Sequence, residues 1–434
     1  SKHRTPLLFA VITIISYGLL LPFTGFYWDD WPFAWIAKFL GPAEFNPAFA
    51  PFRPFLGPIF YFTTSLVPPV PLYWQIFALI IRFIIGLAAF WAFKQIFPKQ
   101  QRIAFIATLL ILVFPGYSQH WVALTHINQE LIPFIFYLLS FGFTFKALRE
   151  GEAVYTVIAL LLQLCGIFPT EYFFGLEGLR FLFLFFFFDG NLIERFIKTL
   201  KIWWPYLLIW ILNAAWLFYY YKFGPYNSYE VNATQSFTIL MFLKEALDAL
   251  WKAGFYIWGQ VLVLTFSTLP APASLLSLGL SALSLTLLTP YLLRSAPVDE
   301  TPEKALPISL IVIGIIGILL GRLPSLAASL PLTLQSSFDR FMVSMMIGGS
   351  LFVIGWVELL VRNSRTKMIV FSILISLGIG QQFFNANIFR RDWEDQRNIY
   401  WQMTWRIPAM QPNTVLLTDQ MPIDYETDLS FTAP

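Results

Sequence analysis

Long apolar runs recur along the whole chain, and a run of about 20 mostly apolar residues is what a helix needs to cross a bilayer. Eleven stretches meet or approach that length: 7–26, 72–93, 103–115, 129–148, 153–169, 172–188, 203–221, 274–293, 306–320, 341–361 and 368–384. A water-soluble alternative fails on polar surface. Only 12% of the 434 residues are charged, about half the roughly 25% of a soluble domain. The fold class is therefore read as an all-α polytopic membrane protein with about 11 transmembrane helices.

The formal net charge of +3 is too small to point to nucleic acid. Cys165, the single cysteine, lies in an apolar run, so no internal disulfide or thiolate metal cluster can form. His3, His120 and His126 are the only histidines, and no metal site is assigned. The first run follows the basic start Lys2, His3, Arg4 and is too long, and too poorly followed by a cleavage site, for a signal peptide. A start at Ser1 and a polar end at Pro434 are expected to mark a trimmed chain.

Lysine and arginine counts set the orientation, because cytoplasmic loops carry the excess. With eleven spans, Lys94, Lys99, Arg102, Lys146, Arg149, Arg195, Lys198 and Lys201 share one side, which is then cytoplasmic. That side also holds the N-terminus. Residues 1–384 form the transmembrane domain. Its loop 27–71 is external, with interfacial helices at 31–40 and 55–67. Region 222–271 is external or re-entrant. If 255–269 crossed, much of the charge asymmetry would reverse, so it is read as not crossing. Residues 385–434 are an external tail with an amphipathic helix over 388–406 ended by Pro408. That helix is expected to present Ile388, Trp393, Ile399, Tyr400 and Met403 to the external loops and partly cover a site.

The run Tyr27-Trp28-Asp29-Asp30-Trp31-Pro32 sets two adjacent carboxylates among aromatics just after the first span. Adjacent like charges raise each other's pKa and are retained where something uses or neutralises them. They could equally cap a helix at the headgroup belt. On the same surface the eleven-span reading also gathers Arg53, His120, His126, Glu130, Glu171 and Arg340. Acids supply a base and arginines a phosphate site. Taken singly, Arg53 could snorkel and Arg340 could pair with Asp339. Arg82, Glu177 and Arg180 lie within spans, where charge costs roughly 2.5–3.5 kcal/mol and faces a partner or a cavity. Glu177 and Arg180 can meet at i, i+3, either as a self-neutralised structural pair or in support of a site. Arg82 has no partner nearby in sequence and is read as serving a buried anion.

The acidic pair Asp29-Asp30 after the first span, Arg53-Pro54 before the prolines 68, 69 and 71, and Pro169-Thr170-Glu171 at an external helix end together form a pattern. It resembles the GT-C class of integral membrane glycosyltransferases, such as protein O-mannosyltransferases and bacterial lipid-linked sugar transferases, over the first half of the chain. The resemblance implies transfer of a sugar from a polyprenyl-phosphate or diphosphate donor to a hydroxyl of a glycan, lipid or protein acceptor. The expected site is external, in the plasma (inner) membrane. The donor is a substrate rather than a cofactor, and metal dependence stays open. The resemblance favours Asp29 as base, with Asp30 pairing with a cation such as Arg53. Arg53, Arg82 and Arg340 would bind the donor phosphate, supported by His120, His126, Glu171, Glu177 and Arg180. Sequon-recognition motifs of oligosaccharyltransferases are absent from the sequence. The rival readings are a non-catalytic subunit of a larger membrane assembly and a transporter, although no internal repeat of the transporter kind is visible.

Overall fold

The computed structural model describes residues 4–224, 238–297, 305–407, 409–411 and 414–415. Lys2, His3 and Pro408 lie outside them. Among the described residues the regular structure is helical: α1 (Arg4–Thr13), α2 (Pro71–Ile96), α3 (Gln101–Leu112), α4 (Ile132–Glu150), α5 (Ala153–Ile167), α6 (Leu176–Phe187), α7 (Leu192–Phe223), α8 (Ile239–Gly254), α9 (Pro272–Ser295), α10 (Leu306–Ala327), α11 (Met342–Leu360) and α12 (Ser364–Arg406), joined by shorter turns of helix. Eight helical stretches are long and apolar enough to cross a membrane. The protein is an all-α polytopic membrane protein. Three of the eleven apolar runs form shorter helices of 12, 15 and 12 residues, namely α3, α5 and α6.

Stretch 255–269 contains only a turn at Tyr256–Trp258 and an 8-residue helix, Gln260–Ser267. At 1.5 Å per residue that helix is about 12 Å long, far short of a roughly 30 Å hydrocarbon layer. Close helix packing elsewhere relies on small residues. A Cβ added at Gly317 of α10 would lie 2.9 Å from the Cα of Gly348 on α11, so those two backbones approach as only glycine allows.

Ion pairs and hydrogen bonds sort the loops onto two ends of the bundle. At one end Glu358 near the close of α11 binds Arg102 at the start of α3, 3.1 Å away, and Lys367 at the start of α12. At the other, Asp339 before α11 accepts from the Ser118 backbone N–H after α3, and Arg53 of the first loop binds Glu171 before α6. That first loop is folded on itself. Helices Asp30–Trp35, Phe45–Phe49 and Gly57–Leu66 meet through Phe33, Phe49 and Phe60, with ring centroids 4.7–5.4 Å apart.

The last helix corrects the expected break at residue 385. α12 runs 43 residues without interruption, about 65 Å at helical rise. Nothing between Gln381 and Arg406 is a glycine or proline, so no residue stops it. Beyond the span α12 buries Ala386, Phe389, Asp392 and Gln396 most deeply; of the expected face, Ile388, Ile399 and Met403 are half-buried, while Trp393 and Tyr400 pack on Trp31 of the first loop. This part of α12 lies across the first loop. The Tyr27 hydroxyl donates to the Phe389 carbonyl at 2.7 Å, and Trp31 Nε1 donates to Gln396 Oε1 at 3.0 Å. Gly25 makes room: a Cβ there would sit 2.0 Å from the Trp393 indole.

Candidate functional site

Asp29 and Asp30 are adjacent but occupy different surroundings. Asp29 is partly exposed at the N-cap position of helix Asp30–Trp35, yet its side chain makes no cap bond. Asp30 is fully buried. Its Oδ1 accepts from the Thr125 backbone N–H and hydroxyl, both at 2.8 Å, and its Oδ2 from the Tyr27 N–H at 3.3 Å. Burial pushes the Asp30 carboxyl up to about 7, against the pull of those donors and of nearby His126. Asp30 thus fastens the first loop to the short helix Ala123–His126, and the expected pairing with Arg53 does not occur. Trp28, just before the pair, has φ of +48°, a left-handed conformation costly for a tryptophan.

From Thr125 the polar network continues inward. His126 Nδ1 lies 2.6 Å from Glu130 Oε1, and the Tyr117 hydroxyl donates to Glu130 Oε2 at 2.8 Å. Both residues of the His126–Glu130 pair are buried, and His126 Nε2 has no partner among the described residues. The Trp28 ring lies 5.9 Å from the His126 ring and 5.2 Å from the Arg340 guanidinium carbon. Arg340 does not pair with Asp339. It donates from Nε to the Tyr172 hydroxyl at 3.1 Å and from Nη1 to the Ser337 carbonyl at 3.0 Å. Asp339 turns to the Ser118 N–H and the Gln119 amide, each at 3.2 Å.

Arg53 closes the outer edge of this cluster through Nη2 to Glu171 Oε1, 2.8 Å apart, both largely shielded. Burial pushes Glu171 up, but the Arg53 charge and hydrogen bond outweigh it and hold the carboxyl below its usual value. Asp29, Asp30, Arg53, His126, Glu130, Glu171 and Arg340 therefore share one end of the bundle. Trp28, from the run already singled out, belongs with them, and so do Thr125, Tyr117 and Tyr172, which were not singled out from the sequence. Thr125 adjoins His126 and Tyr172 adjoins Glu171, which is the only sequence signal they carried.

Two of the remaining expected residues sit elsewhere. Glu177 and Arg180 form a closed buried unit. Glu177 accepts from Arg180 Nε at 2.8 Å, Trp203 Nε1 at 2.8 Å, the Tyr137 hydroxyl at 2.7 Å and Gln163 Nε2 at 3.0 Å. The other Arg180 nitrogens reach Thr144 Oγ1 at 2.6 Å and Ser140 Oγ at 2.9 Å. All their bonding capacity faces inward, so we assign this pair to the frame. Arg82 is buried between Tyr17 and Tyr117, close to His120. His120 lies against Tyr17, ring centroids 4.3 Å apart.

A cleft of about 710 Å3 runs between Gly57–Leu66, α2, α4 and α5, lined by Phe55, Phe62, Phe77, Ile81, Phe136 and Pro169 among others. Its lining is almost wholly apolar. Phe55 and Pro169 stand two residues along the chain from Arg53 and Glu171, so the same two loops supply part of the cleft and part of the charged cluster. A smaller cavity of about 210 Å3 is lined by Glu171, Tyr172, Tyr221, Ser325 and Phe341. Among the described residues no group of three or more histidines, cysteines, aspartates or glutamates could hold a metal ion. No family profile, curated protein or solved structure matches the chain.

Proposed function

We propose that this protein is a membrane glycosyltransferase of the GT-C kind, moving a sugar from a polyprenyl-phosphate or diphosphate donor to an acceptor hydroxyl. The observation that carries the reading is the apolar cleft whose lining reaches to within two residues of Arg53 and Glu171. Its volume falls in the range of ligand sites, roughly 300–1,000 Å3, and a hydrocarbon tail lying in it would bring its phosphate to arginine. Arg53 and Arg340 take the phosphate as charge-assisted donors and stabilise the charge that develops as the glycosidic bond breaks. Asp29, the more accessible of the two aspartates, accepts the proton of the acceptor hydroxyl. Asp30, tied to Thr125, holds the loop in place.

In this reading eleven helices cross the membrane, α3, α5 and α6 among them. The N-terminus is cytoplasmic, the site and the end of α12 are external, and the membrane is the plasma (inner) membrane. The lysines and arginines of the end opposite the site support that orientation. The acceptor is a glycan, a lipid or a protein. Purified protein incubated with labelled polyprenyl-phosphate sugars and candidate acceptors tests the reading. Transfer that disappears in Asp29→Asn supports it. Specific donor binding without transfer favours a carrier or a subunit, and neither binding nor transfer with any donor overturns it.

A further inference from the structure

Arg82, near the middle of α2, is wholly buried, and its Nε, Nη1 and Nη2 make no hydrogen bond to any of the described residues. The rings of Tyr17 and Tyr117 lie 4.9 and 5.2 Å from its guanidinium carbon. Ring faces soften the cost of burying a cation but occupy none of its five N–H donors. The acids around it are engaged otherwise. Glu130 accepts from Tyr117 and faces His126, Asp339 binds Ser118 and Gln119, and Asp30 binds Thr125 and Tyr27. None forms an ion pair with Arg82.

Other unspent groups gather beside it. The His120 ring lies tilted against Tyr17 with its Nδ1 buried and, among the described residues, unpartnered, and the Trp121 ring lies 5.2 Å from His120 with Nε1 in the same condition. Burial, reinforced by the Arg82 charge, holds His120 well below its usual pKa, so the imidazole is neutral. Among the described residues the neighbourhood thus carries a guanidinium with no direct ion-pair or hydrogen-bond partner and unspent polar atoms on two further residues. A buried cation without a direct partner is costly, and the nearby carboxylates spend their oxygens on other donors.

We propose that Arg82 holds one small monovalent inorganic anion of the chloride class, with His120 and Trp121 as neighbouring donors. A dianion such as phosphate would bury an excess negative charge against a single cation, whereas a monovalent ion neutralises it. The site adjoins the charged cluster through Tyr117, whose ring lies against Arg82 and whose hydroxyl donates to Glu130, but it does not depend on the glycosyl-transfer reading.

Equilibrium dialysis of the purified full-length protein against radioactive chloride in a gluconate background tests this. We expect one chloride retained per chain, displaced by bromide, with Arg82→Gln retaining none and Trp121→Phe binding several-fold more weakly. Should Arg82→Gln fail to fold, the unaltered protein still answers. Its thermal midpoint must rise saturably with chloride at constant ionic strength. No retained chloride together with a flat midpoint overturns the proposal, because water would then be satisfying Arg82. Retention of inorganic phosphate in preference to chloride overturns it as well.

Discussion

Two buried clusters of charge lie in this bundle, and they are built on opposite principles. Around Glu177 and Arg180, Tyr137, Gln163, Trp203, Ser140 and Thr144 take up the charges from all sides. Around Asp30, His126, Glu130 and Arg340 the bonding is incomplete. Among the described residues His126 Nε2 has no partner, Trp28 beside it is held in a left-handed backbone with its Nε1 unpartnered, and the nearby Arg82 has none for three nitrogens. A closed cluster fixes helices and leaves its charges nothing to offer a ligand, the one unspent atom among the side chains named being the neutral Gln163 Oε1. An open one carries a cost that folding alone does not explain, and such costs gather at functional sites. The contrast marks the open cluster as the candidate site and the closed one as frame.

The sharpest way to break the comparison is to open the closed cluster. Glu177→Gln leaves Arg180 buried without its counter-charge, and we expect a loss of about 3–5 kcal/mol in unfolding free energy, read from denaturant or thermal unfolding in detergent. Any loss of transfer should follow the folded fraction alone. Next in size is Arg53→Ala, which removes the partner of Glu171 and a charge-assisted contact to phosphate. It should weaken donor binding roughly ten- to a hundredfold by titration calorimetry.

Asp30 sharpens the comparison through pH. Its folded pKa of about 7 lies above the unfolded value of 3.8, so the folded state binds the proton more tightly. The stability it contributes is full below about pH 4 and is lost as pH rises towards 7, at no more than about 1.4 kcal/mol per pH unit. Subtracting the Asp30→Asn stability profile from that of the unaltered protein should isolate this slope, and the difference should be flat above about pH 8. The smallest effect belongs to the α12 strap. Gln396→Ala removes the acceptor of Trp31 Nε1, at a cost of about 1 kcal/mol in thermal unfolding.

Much of the frame could be read from run lengths, because a bilayer demands about 20 apolar residues from any crossing helix. Two of the shorter runs form shorter helices, α3 and α6, whereas the short run 306–320 lies in the 22-residue α10. The extension of α12 was hidden by its change of character: beyond residue 385 the sequence turns polar, which reads as a new element, yet nothing in it breaks a helix. The site was legible as an inventory. Asp30, Arg53, His126, Glu171 and Arg340 could be placed on one surface by counting spans. Their partners could not, since Asp30 meets Thr125 95 positions on, Arg53 meets Glu171 118 on, and Arg340 meets Tyr172 168 positions back. The pair at i, i+3 was visible in the sequence, but its closure by Tyr137, Gln163 and Trp203 was not. That closure decides whether a buried charge is frame or site.

The central claim is that the open cluster does chemistry and the closed one does not. Transfer from a labelled polyprenyl-phosphate sugar, measured side by side for Asp29→Asn and Glu177→Gln and normalised to folded protein, tests it most directly. We expect Asp29→Asn to keep its stability and lose about 10²- to 10⁴-fold in transfer rate, as removal of a general base does, while the folded fraction of Glu177→Gln transfers at the unaltered rate. Full transfer by Asp29→Asn, or an equal loss of specific rate in both variants, would contradict it.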